Sequence, residues 1–321
     1  MLDLELLHFW MTQSVVDFGG RAEITTLFQT TIVQIAFEYD FLMHAMLSLA
    51  ACHLSHTRPQ KSSMYRYASD RHAAIGLSLS QPHILNLDET NCHACFAFST
   101  ITFAHAWASQ DRTKPSTLFF TPSQADEEAD TLQIKWVKLH RGTHSILGSV
   151  SPTLRNGPLK PLFTPWGRVD PNRPNLLQDE DKKWIDDLSE AWSSSMMSEA
   201  QKAVMPAALD TIRRVFSMLT YCEEVDKTSC IMSWFSRVSD EFLEMLENKV
   251  PEALLLVAYL SVALKRIGYL RQWWLDGMAE NLLGTILNEL GEGWERWTSW
   301  PIEQVFTRKG IQDYRGNIVG P

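Results

Sequence analysis

An all-α fold is what this sequence predicts, on three observations. Apolar residues recur at the i, i+3, i+4, i+7 spacing of a helix face wherever a pattern is visible. Two stretches, 41–54 and 253–264, are apolar nearly all round and must be enclosed by other helices. No β alternation, no Gly-rich phosphate loop and no repeat of fixed period accompanies them. The expectation is one irregular multi-helix domain over residues 1–306, built around an apolar central cavity and followed by an unpatterned tail at 307–321.

Composition narrows the function. With 321 residues, 45% hydrophobic, 12 Trp and 15 Phe, a sizeable core is assured. A formal charge of -9 and a pI near 5.6 argue against a phosphate-neutralising surface, so no direct nucleic-acid binding by this chain is expected. Five cysteines without regular spacing point to a reducing compartment, cytoplasmic or nuclear, rather than to disulfides. The opening MLDLELLHFW carries Asp3 and Glu5 and no basic run, so it does not read as a signal peptide. Both apolar runs fall short of the roughly 20 residues of a membrane span.

Taken in order, Leu4, Leu7, His8, Met11 and Val15 share one helix face, ended by Asp17-Phe18-Gly19-Gly20. A helical period resumes through Ile32, Ile35 and Ala36. Asp40 suits the N-cap of a buried helix from Phe41 to Leu54, interrupted only by His44 and Ser48. Pro59 closes it, a helix spans 62–80, and Asp88-Glu89 opens a long one through Cys92, Phe96, Phe103 and Trp107. Residues 110–130 mix Pro, Ser and acids and read as a mobile loop able to act as a lid. A helix at 131–149 carries Trp136, and six prolines within 151–176 predict an extended crossover. Helices follow at 179–195, at 200–222 with a kink or restart at Pro206, and at 229–248.

The chain is organised around what comes next. Pro251 fits the first position of a helix, and Lys265-Arg266 before Gly268 ends it with cations on the negative dipole end. A second, aromatic-rich helix is expected through Trp273, Trp274 and Gly277 to Leu290, closed by Trp294, Trp297 and Trp300. Glycine inside a helix costs about 1 kcal/mol relative to Ala, so Gly277 calls for a close approach of a neighbour or ligand.

Chemical motifs are few. Cys92-His93-Ala94-Cys95 has the look of a metal pair, but a structural zinc needs four ligands and no second pair stands at a suitable spacing. His53 and His56, and His140 and His144, sit one turn apart; the second pair lacks the intervening Glu of zinc proteases. No serine lies in a nucleophile elbow. Neither metal nor cofactor is expected. What remains is aromatic: Phe41, Phe103, Trp107, Trp136, Tyr259 and Trp273, with His44 and Gly277, are predicted to line a site for a hydrophobic molecule carrying a hydroxyl or carbonyl. Core packing is the competing reading of any single one.

Five segments in sequence order bring a family with them: LELLHFWMT at 4–12, IAFEYDFLMHAMLSLAACHLS at 35–55, FAFSTITFAHAWA at 96–108, KWVKLHRGTHSIL at 135–147, and the stretch 251–286 with WERWTSWP at 294–301. Together they resemble the sterol-sensing C-terminal domain of fungal zinc-cluster transcription regulators of the sterol uptake control type. The resemblance implies an all-helical, dimeric domain whose cavity takes up a sterol or terpenoid-like molecule, with binding altering nuclear import or activation. Such regulators also carry a six-cysteine zinc cluster, which the five cysteines of this sequence do not form. Two function classes therefore stay open. One is a binding module acting through a partner. The other is a cofactor-free cyclase holding a terpenoid or polyketide intermediate in a near-attack conformation for a Diels–Alder type closure.

Overall fold

The computed structural model describes residues 1–16, 21–116, 150–170, 172–193, 195–270 and 272–307, and every regular element among them is helical. The all-α prediction holds. The described residues gather into two compact units, each assembled from separated stretches of chain. The first takes 1–110, 150–168 and 272–274; the second takes 111–116, 169–270 and 275–307.

In the first unit, α1 (Leu2–Phe9) runs into a wide π turn at Trp10–Ser14. After α2 (Ala22–Thr26) a second π turn at Leu27–Thr31 leads into α3 (Ile32–Ala36). The two wide turns face each other through Trp10, whose buried Nε1 donates to the Phe28 carbonyl at 3.2 Å. The core of the unit is α4 (Asp40–Thr57), α5 (Ser62–Leu85) and α6 (Cys92–Ala108). Asp40 occupies the first turn of α4 rather than its cap, where its charge still favours the positive end of the helix dipole. Gly76 lets α5 come close to α4: a Cβ there would lie 3.2 Å from the Phe41 carbonyl oxygen and 3.4 Å from both His44 Cβ and Phe98 Cε2. Ahead of α6, the Asp88 carboxylate accepts the backbone N–H groups of Thr90 and Asn91 at 2.7 and 3.2 Å, a local turn that delays the helix to Cys92.

The proline-rich stretch corrects the expectation of extended chain. Residues 150–156 are helical and α7 spans Lys160–Gly167. Pro161 sits in the first turn, where a missing N–H costs nothing, and only Pro165 lies inside the helix. The predicted helix at 131–149 and most of the loop at 110–130 lie outside the described residues.

The second unit comprises α8 (Asp179–Asp187), α9 (Ser189–Ser193), α10 (Glu199–Tyr221), α11 (Lys227–Met232), α12 (Asp240–Glu247), α13 (Pro251–Arg266), α14 (Met278–Leu290) and α15 (Glu295–Phe306). A capping box starts α10: Ser198 Oγ accepts from the Gln201 N–H at 3.2 Å while the Ser198 N–H donates to Gln201 Oε1 at 3.0 Å. The helix then passes Pro206 without restarting.

Helix α13 is the centre, packed by α10, α12, α14 and α15, with every residue from Glu252 to Leu264 buried. Each fully enclosed Leu or Val there contributes about 1.5–3 kcal/mol of burial. The stretch Pro251–Leu270 holds an 18-residue window of mean hydropathy 1.6, enough by length and composition alone to cross a membrane. Of that window 78% is buried inside the protein, as in a core helix.

The aromatic-rich helix is shorter than predicted. After Arg266 the chain makes 3-10 turns at Gly268–Leu270 and Trp273–Leu275, and α14 begins only at Met278. Gly277 is the N-cap, in the left-handed region at φ 71° and ψ 1°. A Cβ there would meet nothing nearer than Arg112 Cγ at 3.8 Å. The glycine is therefore demanded by backbone conformation, not by close approach inside a helix.

Candidate functional site

Helix α4 of the first unit is apolar on most sides, yet a line of polar side chains runs between it and the buried face of α5. Their periodicity explains it: His44 and Ser48 lie one turn apart on α4, and Ser69 and His72 one turn apart on α5. His44 Nδ1 and His72 Nδ1 are 2.8 Å apart, so one ring donates and the other accepts. One turn along, Ser69 Oγ donates to the Ser48 carbonyl at 2.9 Å and lies 2.8 Å from His105 Nε2. Having given its only proton to the carbonyl, the Ser69 hydroxyl must accept from His105, which assigns the Nε2–H tautomer. At the far end of α4, His53 Nδ1 is 3.2 Å from Ser14 Oγ. Its ring stacks on Trp273 with centroids 4.1 Å apart and planes 6° from parallel.

Burial sets the electrostatics. It pushes His105 down to about 4 and, with a smaller contribution from His56, His53 to about 4 as well. His44 and His72 are likewise lowered by burial, against the opposing pull of nearby carboxylates. The seam is therefore uncharged at neutral pH. It offers donors and acceptors within apolar surroundings, and no primed nucleophile, because Ser69 points its proton at the main chain. Burial also raises the Cys95 thiol to about 12, so the Cys92–Cys95 pair is unreactive packing. Among the described residues, no three His, Cys, Asp or Glu side chains are grouped to hold a metal ion.

The predicted site residues divide between the units. Phe41 is enclosed edge-on against Phe98, with centroids 5.4 Å apart, and against the His83 ring at 4.9 Å. Phe103 and Trp107 touch on α6 at 6.0 Å, both buried. These, with His44 and Trp273, belong to the first unit. The indole Nε1 of Trp273 is buried and has no hydrogen-bond acceptor. Tyr259 and Gly277 belong to the second unit. There the Tyr259 hydroxyl lies 3.2 Å from the Trp297 carbonyl and 3.4 Å from that of Trp184, and burial pushes the phenol well above its ordinary range. Trp136 lies outside the described residues. Sequence reading passed over Ser69, His72 and His105; polar residues recurring at helical spacing on otherwise apolar faces were the signal that could have found them.

His44, Ser48, Ser69, His72 and His105 fall within a recognisable stretch. Residues 15–115 match the model of a family described as a fungal specific transcription factor domain. Over 324 aligned residues, 94% of this chain, the sequence is 22% identical to a Zn(2)-C6 fungal-type transcription factor of Gibberella zeae. The chain resembles a fungal regulator's C-terminal region. Two more relatives of that regulator class are sterol uptake control protein 2 of Saccharomyces cerevisiae, 29% identical over 110 residues, and of Candida albicans, 28% over 156. Those matches cover 34% and 47% of this chain. The regulator from Gibberella is matched over 61% of its length and the two sterol uptake control proteins over 12% and 20%, so the chain spans only part of each.

Proposed function

We propose that the chain is a regulator-type ligand-binding domain, and that its first unit takes up a sterol or terpenoid-like molecule against Phe41, His44, Phe103, Trp107 and Trp273. The observation that carries this reading is the similarity to two proteins named for control of sterol uptake. Physical support comes from the chemistry of the seam: neutral imidazoles and a buried indole N–H without an acceptor suit a largely apolar ligand with one or two oxygens. Tyr259 and Gly277 drop out of the proposed site, the first because its hydroxyl serves main-chain carbonyls and the second because its role is conformational. On this reading, ligand binding adjusts a regulatory output in the nucleus or cytoplasm.

The test is to extract the purified protein with organic solvent, identify co-purifying lipids by mass spectrometry, and titrate the emptied protein with a fluorescent sterol. Saturable binding is expected, weakened about 3- to 10-fold by Trp273→Phe, the loss of one neutral hydrogen bond. No lipid in the extract, together with no saturation up to the sterol's solubility limit, would remove the proposal.

A further inference from the structure

A neutral histidine can meet a ligand as a donor or as an acceptor, and at His44 the choice is made by the residues behind it. Three side chains from three helices stand in a row. Outermost is Asp3 of α1, whose Oδ1 lies 3.5 Å from Nε2 of His72 on α5. Nδ1 of His72 meets Nδ1 of His44 on α4 at 2.8 Å. Nε2 of His44 ends the row: it has no hydrogen-bond partner among the described residues, and the side chain is partly exposed.

Chemistry places the protons along the row one by one. A carboxylate only accepts, so the proton of a neutral His72 sits on Nε2, facing Asp3; the other tautomer would aim a lone pair at the carboxylate. His72 Nδ1 is then the acceptor in the 2.8 Å contact, and the proton of His44 sits on Nδ1. Nε2 of His44 is left with a lone pair and no hydrogen. Both rings are neutral at pH 7, because desolvation lowers each from 6.5 against the pull of Asp3 on both and of Asp40 on His44, with Arg71 of α5 lowering both further.

We propose that Asp3 and His72 are positioning residues that hold His44 in its Nδ1–H tautomer, so that the site selects an alcohol over the matching ketone. Such selection exists only if the first unit binds a ligand against His44, as inferred above. An alcohol donates its O–H to His44 Nε2. A ketone has only lone pairs to set against the lone pair already there, and a site built for one hydrogen-bonding sense rejects the analogue that lacks it. To meet the ketone with a donor, both imidazoles would have to change tautomer and leave the Nε2 lone pair of His72 against the Asp3 carboxylate.

Displacement of the fluorescent sterol from the full chain by cholestanol and by cholestanone, which differ only at the ring oxygen, tests this at neutral pH. Cholestanol should bind about tenfold more tightly. Asp3→Ala puts water, donor and acceptor alike, beside His72 Nε2 and should bring the two ligands within about threefold of each other, mainly by tightening the ketone. The Asp3 side chain is 69% exposed, so this variant keeps the unit folded. His72→Gln should act in the same way, since an amide can present either its donor or its acceptor. Glu5→Gln weakens the hold of α1 on Arg58 and Tyr65 instead and should leave the ratio as it is. Failure of the fluorescent sterol to saturate would remove the ligand-binding reading and this selection with it. Saturation with equal displacement by alcohol and ketone, a ratio that survives Asp3→Ala, or a ratio lowered as much by Glu5→Gln, would overturn the positioning role alone.

Discussion

In the first unit the polar groups within the apolar layers are imidazoles and hydroxyls, uncharged and linked ring to ring or ring to hydroxyl at 2.8 Å. In the second, the most buried carboxylate among the described residues is held in a full ion pair. Arg266 reaches Asp181 with two hydrogen bonds of 2.7 and 2.5 Å, Asp181 is 1% exposed, and the guanidinium lies 4.9 Å from the centre of Phe216 and 5.8 Å from that of Trp300. A neutral seam is cheaper to desolvate but can be recharged by mild acid. A buried ion pair is expensive to desolvate and tolerates no loss of one member. Every histidine among the described residues lies in the first unit, so imidazole protonation between pH 6.5 and 4 acts on that interior and not on the other.

The comparison can be broken most forcefully with acid. His53 and His105 are lowered from 6.5 to about 4 by burial, so the stability they confer is whole above pH 6.5 and lost as pH falls toward 4. That is roughly 3 kcal/mol for each histidine. Hydrogen exchange should show α4, α5 and α6 losing protection across that window while α13 keeps it; equal loss in both units would erase the distinction. Next in size, Asp181→Ala strands a buried guanidinium and should cost about 3–5 kcal/mol in denaturant unfolding, whereas Asp181→Leu combined with Arg266→Met should recover most of it. A double variant as damaged as the single one would mean that the pair is not an isolated electrostatic unit.

Smaller effects sharpen the assignment of particular residues. Tyr259→Phe should lower stability by about 0.5–1.5 kcal/mol, since it removes a main-chain hydrogen bond, and leave sterol titration unchanged. Weakened binding at unchanged stability would return Tyr259 to the ligand site. The cap glycine of α14 and the glycine inside it should respond in opposite directions: Gly277→Ala, forced to φ 71°, should destabilise by about 1 kcal/mol, while Gly284→Ala, in mid-helix with nothing within 4 Å of its Cβ position, should stabilise by about 0.5–1 kcal/mol. Thermal melts of the two variants read this directly.

Much of the fold was legible because the strongest signals were local. Helices without a polar face at 41–54 and 253–264 had to be enclosed, and Pro251 and Lys265-Arg266 marked the ends of α13 to within a residue. The errors were also local in form but conformational in cause. Proline was read as a helix breaker at 161, where a first-turn position tolerates it, and Gly277 was read as an interior helical residue because a positive φ leaves no periodic trace. The candidate site was half legible. Aromatic residues on apolar helices drew notice to Phe41, Phe103 and Trp107, but which of them share a unit, and that His44 meets His72 from 28 residues away, are matters of tertiary approach that one-dimensional spacing does not contain.

The interleaving of the two units bears on how such a chain is made and inherited. Gln272–Trp274 belongs to the first unit although about a hundred residues of the second precede it, so the stacking surface on His53 stays bare during synthesis until that short segment has left the ribosome. No single cut in the gene yields either half intact. Recombination or truncation at any one point would take segments from both.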